Sequence, residues 1–244
     1  MTAAVYVKYE LLRTFRNRRF IFLSLGFPLV IYFLIAAPNR RESSIGGTGI
    51  SAPLYFMVGL AAFGCMNAML AAGARIAAER SVGWNRQLRL TPLSTRMYFR
   101  TKVLTGYVMA LCTLVLLYIA GSSLGVRLSA GHWLHMTGFI LIGLVPFAVL
   151  GILLGHLLTV DSIGPSIGGI TALFSILGGV WFPITSGVMR DLAQSLPSYW
   201  LVQAAHVGLG ANGWGARGWL VDGLWTAALA ALAVRAYRRD TGRA

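Results

Sequence analysis

Residues 53–74 read PLYFMVGLAAFGCMNAMLAAGA, a run with no charged side chain, apolar on every side of any helix it could form. At ~1.5 Å per residue, such a helix crosses a hydrocarbon layer of ~30 Å. A buried helix of a water-soluble bundle would instead carry an apolar stripe and a polar face. Five more stretches share this character: 20–37, 103–124, 133–158, 163–182 and 218–234. The chain as a whole agrees, since 57% of its 244 residues are hydrophobic and only 11% are charged, against ~25% charged in a soluble domain. The expected fold class is an all-α integral membrane protein with six transmembrane helices. The fourth run is long enough to tilt, to kink at Pro146, or to break.

Charge placement gives the orientation. Of the 21 Lys and Arg residues, five lie before the first run, seven lie between the second and third (Arg75 to Lys102), and four lie after the sixth. Arg40, Arg41, Arg127, Arg190 and Arg217 fall on the other side. Basic residues concentrate in cytoplasmic loops, so both termini are expected in the cytoplasm of a multi-pass plasma-membrane protein, bacterial in style. The net charge of +14 then reports orientation and contact with membrane lipid, and no nucleic-acid partner is expected. The first run does not read as a cleaved signal, being long for an apolar signal core and lacking a small-residue cleavage site. Cys65 and Cys112 both fall inside predicted spans and read as small core residues. No metal site is expected.

The leader, residues 1–19, has helical spacing without being a span. Val5, Tyr9, Leu11, Leu12 and Phe15 share a broad face, with Glu10, Arg13, Thr14 and Asn17 opposite. That pattern fits a helix lying on the cytoplasmic leaflet; an ordinary basic flank is the plain alternative. Between 159 and 162 the connection is short enough for a tight hairpin. The interval 183–217 is too apolar for a solvated linker and reads as short external helices, some of them re-entrant. Gly164 and Gly168 are spaced to let span five approach another helix closely, with Gly151 and Gly155 as a second pair in span four.

The most polar stretch is Ala78-Glu79-Arg80-Ser81-Val82-Gly83-Trp84-Asn85-Arg86-Gln87-Leu88-Arg89-Leu90-Thr91-Pro92-Leu93-Ser94. Residues 79–90 can form a short helix with Val82, Trp84, Leu88 and Leu90 as apolar contacts, and Thr91-Pro92 stops it. A short cytoplasmic helix with a firm end suits a membrane protein that mates with a soluble partner.

This stretch resembles type-2 ATP-binding cassette (ABC) exporter permeases, including daunorubicin-resistance-type efflux subunits. Glu79-Arg80, Gly83, Leu88 and Thr91-Pro92-Leu93-Ser94 carry the motif. The basic leader, the six spans and the external Pro183, Leu196-Pro197 and Tyr199-Trp200 extend the likeness along the chain. The resemblance implies one exporter transmembrane domain over 1–244. Glu79, Arg80, Gly83, Trp84, Leu88, Thr91, Pro92 and Leu93 would form a coupling helix seated on a cytoplasmic ATPase. Two copies of that ATPase would carry the ATP and Mg, and a second permease subunit, identical or related, would complete the membrane pathway. Relatives carry Gly-Thr-Leu-Glu where this chain has Gly83-Trp84-Asn85-Arg86, a more basic and aromatic surface.

The chain has no Gly-x-x-x-x-Gly-Lys-Ser/Thr loop, so it is not expected to bind nucleotide or to be an enzyme. Gly164-Pro165-Ser166-Ile167-Gly168 matches Gly-x-Ser-x-Gly formally, but it opens an apolar helix, where a nucleophile needs a strained turn and a nearby base. An ion-coupled carrier would keep ionisable groups at mid-span; Asp161, Asp222 and His156 all fall near span ends. A structural or sensory subunit is the third alternative. Aromatic and sulfur-bearing side chains (Phe27, Tyr32, Phe56, Phe63, Met66 and Phe174) are candidate walls of a path for a hydrophobic or amphipathic small molecule. Core or lipid-facing packing is the competing assignment for each, and lipid, glycan or peptide cargo stays open. Trp133, Trp181, Tyr199, Trp200 and Trp219 read as interfacial anchors.

Overall fold

A computed structural model describes residues 3–84, 87, 94–210 and 213–241, and every regular element among them is helical. Helix α1 (Ala3–Phe15) precedes a continuous helical path made of α2 (Arg18–Ile21), a π-helical stretch (Phe22–Gly26) and α3 (Phe27–Ala36). Then follow α4 (Ala52–Ser81), α5 (Thr95–Ser123), α6 (Ala130–Gly143), α7 (Val145–Leu157) and α8 (Val160–Leu177). The last elements are α9 (Gly187–Ala193), α10 (Pro197–Gln203), a 3-10 stretch (Ala204–Leu209) and α11 (Ala216–Thr241).

Five of these paths are long and apolar enough to cross a membrane: α4, α5, the joined α6–α7, α8 and α11. The first expected span is the exception, because only Ser24–Ala36 forms an apolar helix there, and it is shorter. Pro28 explains the irregularity. It has no N–H and its ring crowds the preceding turn, so the ladder widens into π geometry just before it. The Thr113 hydroxyl of α5 lies 3.2 Å from the Ser24 carbonyl and shares its proton between that oxygen and the Met109 carbonyl at 3.0 Å. Of the tilt, kink or break open to the fourth span, the structure shows an interruption at Leu144 between α6 and α7, with Pro146 in the first turn of α7.

Helix α4 is the hub, packed against α3, α5, α7 and α8, while α11 packs on α7. The small-residue contacts fall differently from the sequence expectation. At Gly151 an added Cβ would lie 2.8 Å from the Leu70 carbonyl oxygen, and at Gly155 one would lie 2.6 Å from that of Gly73. The close approach is therefore between α7 and α4. Gly164 and Gly168 are exposed, and an added Cβ at either meets open space. Helix α8 turns Ile167, Thr171 and Ser175 inward, which leaves Gly164 and Gly168 without a packing partner among the described residues.

Tyr199 and Trp200 also depart from expectation. Both are buried, Trp200 Nε1 donates to the Gln194 carbonyl at 3.1 Å, and its own carbonyl accepts from Trp214 Nε1 at 2.7 Å. They form a core for the short helices α9 and α10 and do not serve as interfacial anchors. Trp219, by contrast, is exposed.

Candidate functional site

The motif-bearing segment begins in the last turn of α4. Gly83 adopts φ +68°, a left-handed backbone that glycine enters at least cost. Its N–H donates to the Arg80 carbonyl at 3.1 Å, and its carbonyl accepts from Gln87 N–H at 3.4 Å. Trp84 and Gln87 are helical. A helix running unbroken from Glu79 to Leu90 is thus corrected: Glu79 and Arg80 close α4, and Gly83 turns the chain before helical geometry resumes. Leu88, Thr91, Pro92 and Leu93 lie outside the described residues. Beyond them Ser94 caps α5, its hydroxyl accepting from Met97 N–H at 3.3 Å. At the turn, Val82 is 71% exposed and Trp84 36% exposed, an apolar pair presented outward among basic residues.

Glu79 does not share that exposure. It is 2% exposed and forms the centre of a buried ion cluster. Its Oε1 lies 2.5 Å from Lys102 Nζ of α5 and 3.3 Å from Arg13 Nη1 of α1, and its Oε2 accepts from Tyr98 OH at 2.5 Å. Lys102 Nζ also meets Glu10 Oε1 of α1 at 2.7 Å. Arg75 of α4 lies 3.7 Å from the same carboxylate and donates to Thr14 Oγ1 at 2.5 Å. Burial alone would raise the Glu10 carboxyl, but Lys102, followed by Arg75 and Arg13, holds it below the ordinary carboxylate range. The Tyr6 phenol is pushed up, first by burial and then by the Glu79 and Glu10 carboxylates, and stays neutral. Buried charges of this kind must be paired, and what the pairing fixes is geometry more than net stability.

That cluster decides how the leader sits. Tyr6, Glu10 and Thr14 repeat every four residues, which places them on one helical face, and all three are buried. Val5, Tyr9, Leu12 and Phe15 are exposed on the outer side. The polar stripe docks on the protein while the apolar arc points away.

Arg80, the next residue, reaches the other way. Its Nε lies 2.7 Å from Asp240 Oδ2 of α11. Its Nη1 donates to the carbonyls of Gly155 and His156 at 3.1 and 2.8 Å, which satisfies the last turn of α7 as a cation at a helix C-terminus does. His156 Nδ1 stands 3.0 Å from the same Asp240 oxygen. Asp240, Lys102, Glu10 and His156 were not recognisable from the motif. The available signal was that three of the seven acidic residues, Glu10, Glu79 and Asp240, sit inside the basic flanks.

Three of the candidate path residues, Tyr32, Phe56 and Met66, are buried, and Phe27, Phe63 and Phe174 are half-buried. Tyr32 and Met66 are fully buried, Phe56 nearly so, and Tyr32 OH donates to the Pro53 carbonyl at 3.2 Å. Phe27 and Phe63 have ring centroids 5.9 Å apart, and Phe174 stacks edge-on to Phe147 at 5.4 Å. In this conformation the six belong to inter-helix packing and do not line a common opening. A cavity of about 160 Å³ lies elsewhere, beside α9 and α10, lined by residues that include Tyr55, Arg190, Tyr199, Val202, Gln203 and His206.

The family described as ABC-2 type transporter matches residues 3–209, from the start of α1 through α10 and the 3-10 stretch that follows it. YvfS of Bacillus subtilis (strain 168), which carries the name of a transport permease, is 26% identical over 212 residues, covering 83% of this chain and 80% of that one.

Proposed function

The chain belongs to the ABC-2 type transporter family, a multi-pass membrane permease, and from that premise we propose that it is the membrane-spanning half of an ATP-driven exporter. Both termini would lie in the cytoplasm of a bacterial plasma membrane. Two cytoplasmic ATPase subunits, which carry ATP and Mg, would seat beneath a pair of permeases, with Gly83, Trp84, Leu88, Thr91, Pro92 and Leu93 at the contact. The observation that carries this reading is the exposed Val82–Trp84 turn, held outward by the positive φ of Gly83 at the end of a buried helix. Helix α8 supports the permease pairing, because the open face at Gly164 and Gly168 would let a second copy approach closely.

The cargo we propose is a hydrophobic or amphipathic small molecule. The inner walls are aromatic and aliphatic, and fixed charge is concentrated at the basic end of the bundle, away from the span interiors. A path between two such bundles would suit a drug-like amphiphile better than a sugar phosphate; lipid, glycan or peptide cargo is distinguished by vesicle flux with each class. To test the assignment, the tagged full chain is purified from membranes of cells that also make the ATPase, and ATP hydrolysis in the eluate is measured. Wild type should retain the ATPase, and Trp84→Ala should lower its recovery by roughly tenfold or more, as for an aromatic anchor. Equal recovery with both chains, or ATP-independent flux that collapses with the membrane potential, would overturn the reading.

A further inference from the structure

We propose that the adjacent residues Glu79 and Arg80 form a fork that divides movement of the cytoplasmic turn between two groups of helices that share α4, and that neither residue is itself a contact for the ATPase. The proposal rests on the exporter reading for the source of the movement, but its geometry stands independently.

The two side chains leave the end of α4 in different directions and never share a partner. Glu79 reaches α5 through Lys102 at 2.5 Å and Tyr98 at 2.5 Å, and reaches α1 through Arg13 at 3.3 Å. Lys102 extends that arm to Glu10 of α1 at 2.7 Å. Arg80 reaches α11 through Asp240 at 2.7 Å and α7 through the carbonyls of Gly155 and His156. Asp240 then closes the second arm by meeting His156 Nδ1. The ion pairs of one arm thus gather α4, α5 and the leader, and those of the other gather α4, α7 and α11. Helix α5 also touches the second arm, where Phe99 packs on His156 and Tyr237 and where Tyr237 OH donates to Thr95 Oγ1 at 3.4 Å.

Three features make these arms suited to passing a displacement on. Glu79 and Lys102 are buried, so water cannot readily replace their contacts if they stretch, and opening a buried charge pair is costly. Arg80 binds both a carboxylate and two carbonyls through a planar, pre-organised group, a geometry that lysine would not reproduce. Finally, Gly83 follows three residues after Arg80 with left-handed backbone, so the exposed turn pivots from a point next to the fork. Glu79 and Arg80 act through other side chains and are positioning residues.

The experiment measures amide hydrogen exchange on the full chain in lipid nanodiscs, alone and in complex with its co-purified ATPase. In the chain alone, Glu79→Gln should speed exchange of the α1 amides on the order of tenfold and leave the last turns of α7 and α11 unchanged. Asp240→Asn should do the reverse. In the complex, trapping the ATPase with ADP and vanadate should alter exchange at both α1 and the inner end of α11 in wild type. Glu79→Gln should abolish only the response of α1, and Asp240→Asn only that of α11, with hydrolysis and co-purification retained in both. A contact between Glu79 and the ATPase would lower co-purification instead and would sink the proposal. So would either substitution that loosens both helix groups together, or neither. If the wild-type complex shows no nucleotide response at all, the exporter reading fails, and exchange in the chain alone still decides whether the two arms are independent.

Discussion

Lys102 Nζ stands between two carboxylates, 2.7 Å from Glu10 and 2.5 Å from Glu79, and so ties the leader helix to both ends of the segment that links α4 to α5. With a side chain only 1% exposed, Lys102 is the cation without which two acidic groups would face each other in a dry site. The leader is consequently part of the bundle by ion pairing, even though its apolar residues point outward.

Removing that cation should be far more damaging than removing the whole set. Lys102→Met leaves two buried carboxylates with only Arg75 and Arg13 to offset them, and should cost about 3 kcal/mol. The triple variant Glu10→Gln, Glu79→Gln, Lys102→Met keeps similar shapes with no charge and should recover most of the loss. Thermal unfolding of the three proteins in one detergent checks the order. A triple variant as unstable as the single would show that hydrogen-bond geometry, not charge pairing, governs the site.

The same site sets a pH response. Glu10 has its folded-state carboxyl below the ordinary value of 4.5, so the stability it contributes is fully present above that value and is lost as pH falls through the lower folded one. The leader should stay docked at pH 5 and release only in stronger acid. Spin labels at Leu12→Cys and Leu104→Cys, both exposed positions, would report release as a broadened distance distribution. In Lys102→Met the largest of the causes that lower this carboxyl is gone, and release should begin at a higher pH.

What the sequence shows and hides at this end of the molecule has a physical reason. Span existence was legible because continuous apolar runs such as 53–74 have few alternatives to a membrane helix, and the interruption before Pro146 was among the outcomes its missing N–H allows. Gly83 was noticed as part of a motif, but its positive φ was not, since spacing says nothing about backbone sign. Glu79 reads from sequence as part of an outward helix because its partner Lys102 lies 23 residues away, and the other partner of Lys102, Glu10, lies 92 residues from it; no local pattern encodes such pairings. Spacing marks both Gly164/Gly168 and Gly151/Gly155 as faces for close approach, but which helix a Gly-x-x-x-Gly face meets depends on tertiary placement: within one chain the pair on α7 meets α4 and the pair on α8 meets open space.

Span one offers a separate test. The Ser24 carbonyl faces Pro28, which has no N–H to give it, and accepts from Thr113 Oγ1 at 3.2 Å. Thr113→Val keeps the shape and removes the donor that the Ser24 and Met109 carbonyls share, at a cost of about 1 kcal/mol. Thr113→Ser, which keeps the hydroxyl, should lose much less. Unfolding midpoints of the two variants, measured side by side, would show whether the bond supports the π-helical stretch; equal losses would mean that methyl packing matters more than the donor.

The two glycine pairs should respond oppositely to one added methyl group. Gly155→Ala would drive Cβ to 2.6 Å from the Gly73 carbonyl oxygen, where backbone meets backbone and neither helix can yield without shifting α4 against α7. A loss of about 2 kcal/mol is expected, in line with overpacking a filled site. Gly168→Ala meets open space, so the stability of the single chain should change by no more than roughly 0.5 kcal/mol. Its effect should appear instead in self-association, because a methyl group there would hold a second bundle away from α8. Cross-linking yield between copies, measured alongside thermal unfolding, separates the two. If Gly168→Ala lowers unfolding stability as much as Gly155→Ala does, the exposed face of α8 is packed within one chain after all; if it leaves both stability and cross-linking untouched, the permease pair meets through another surface.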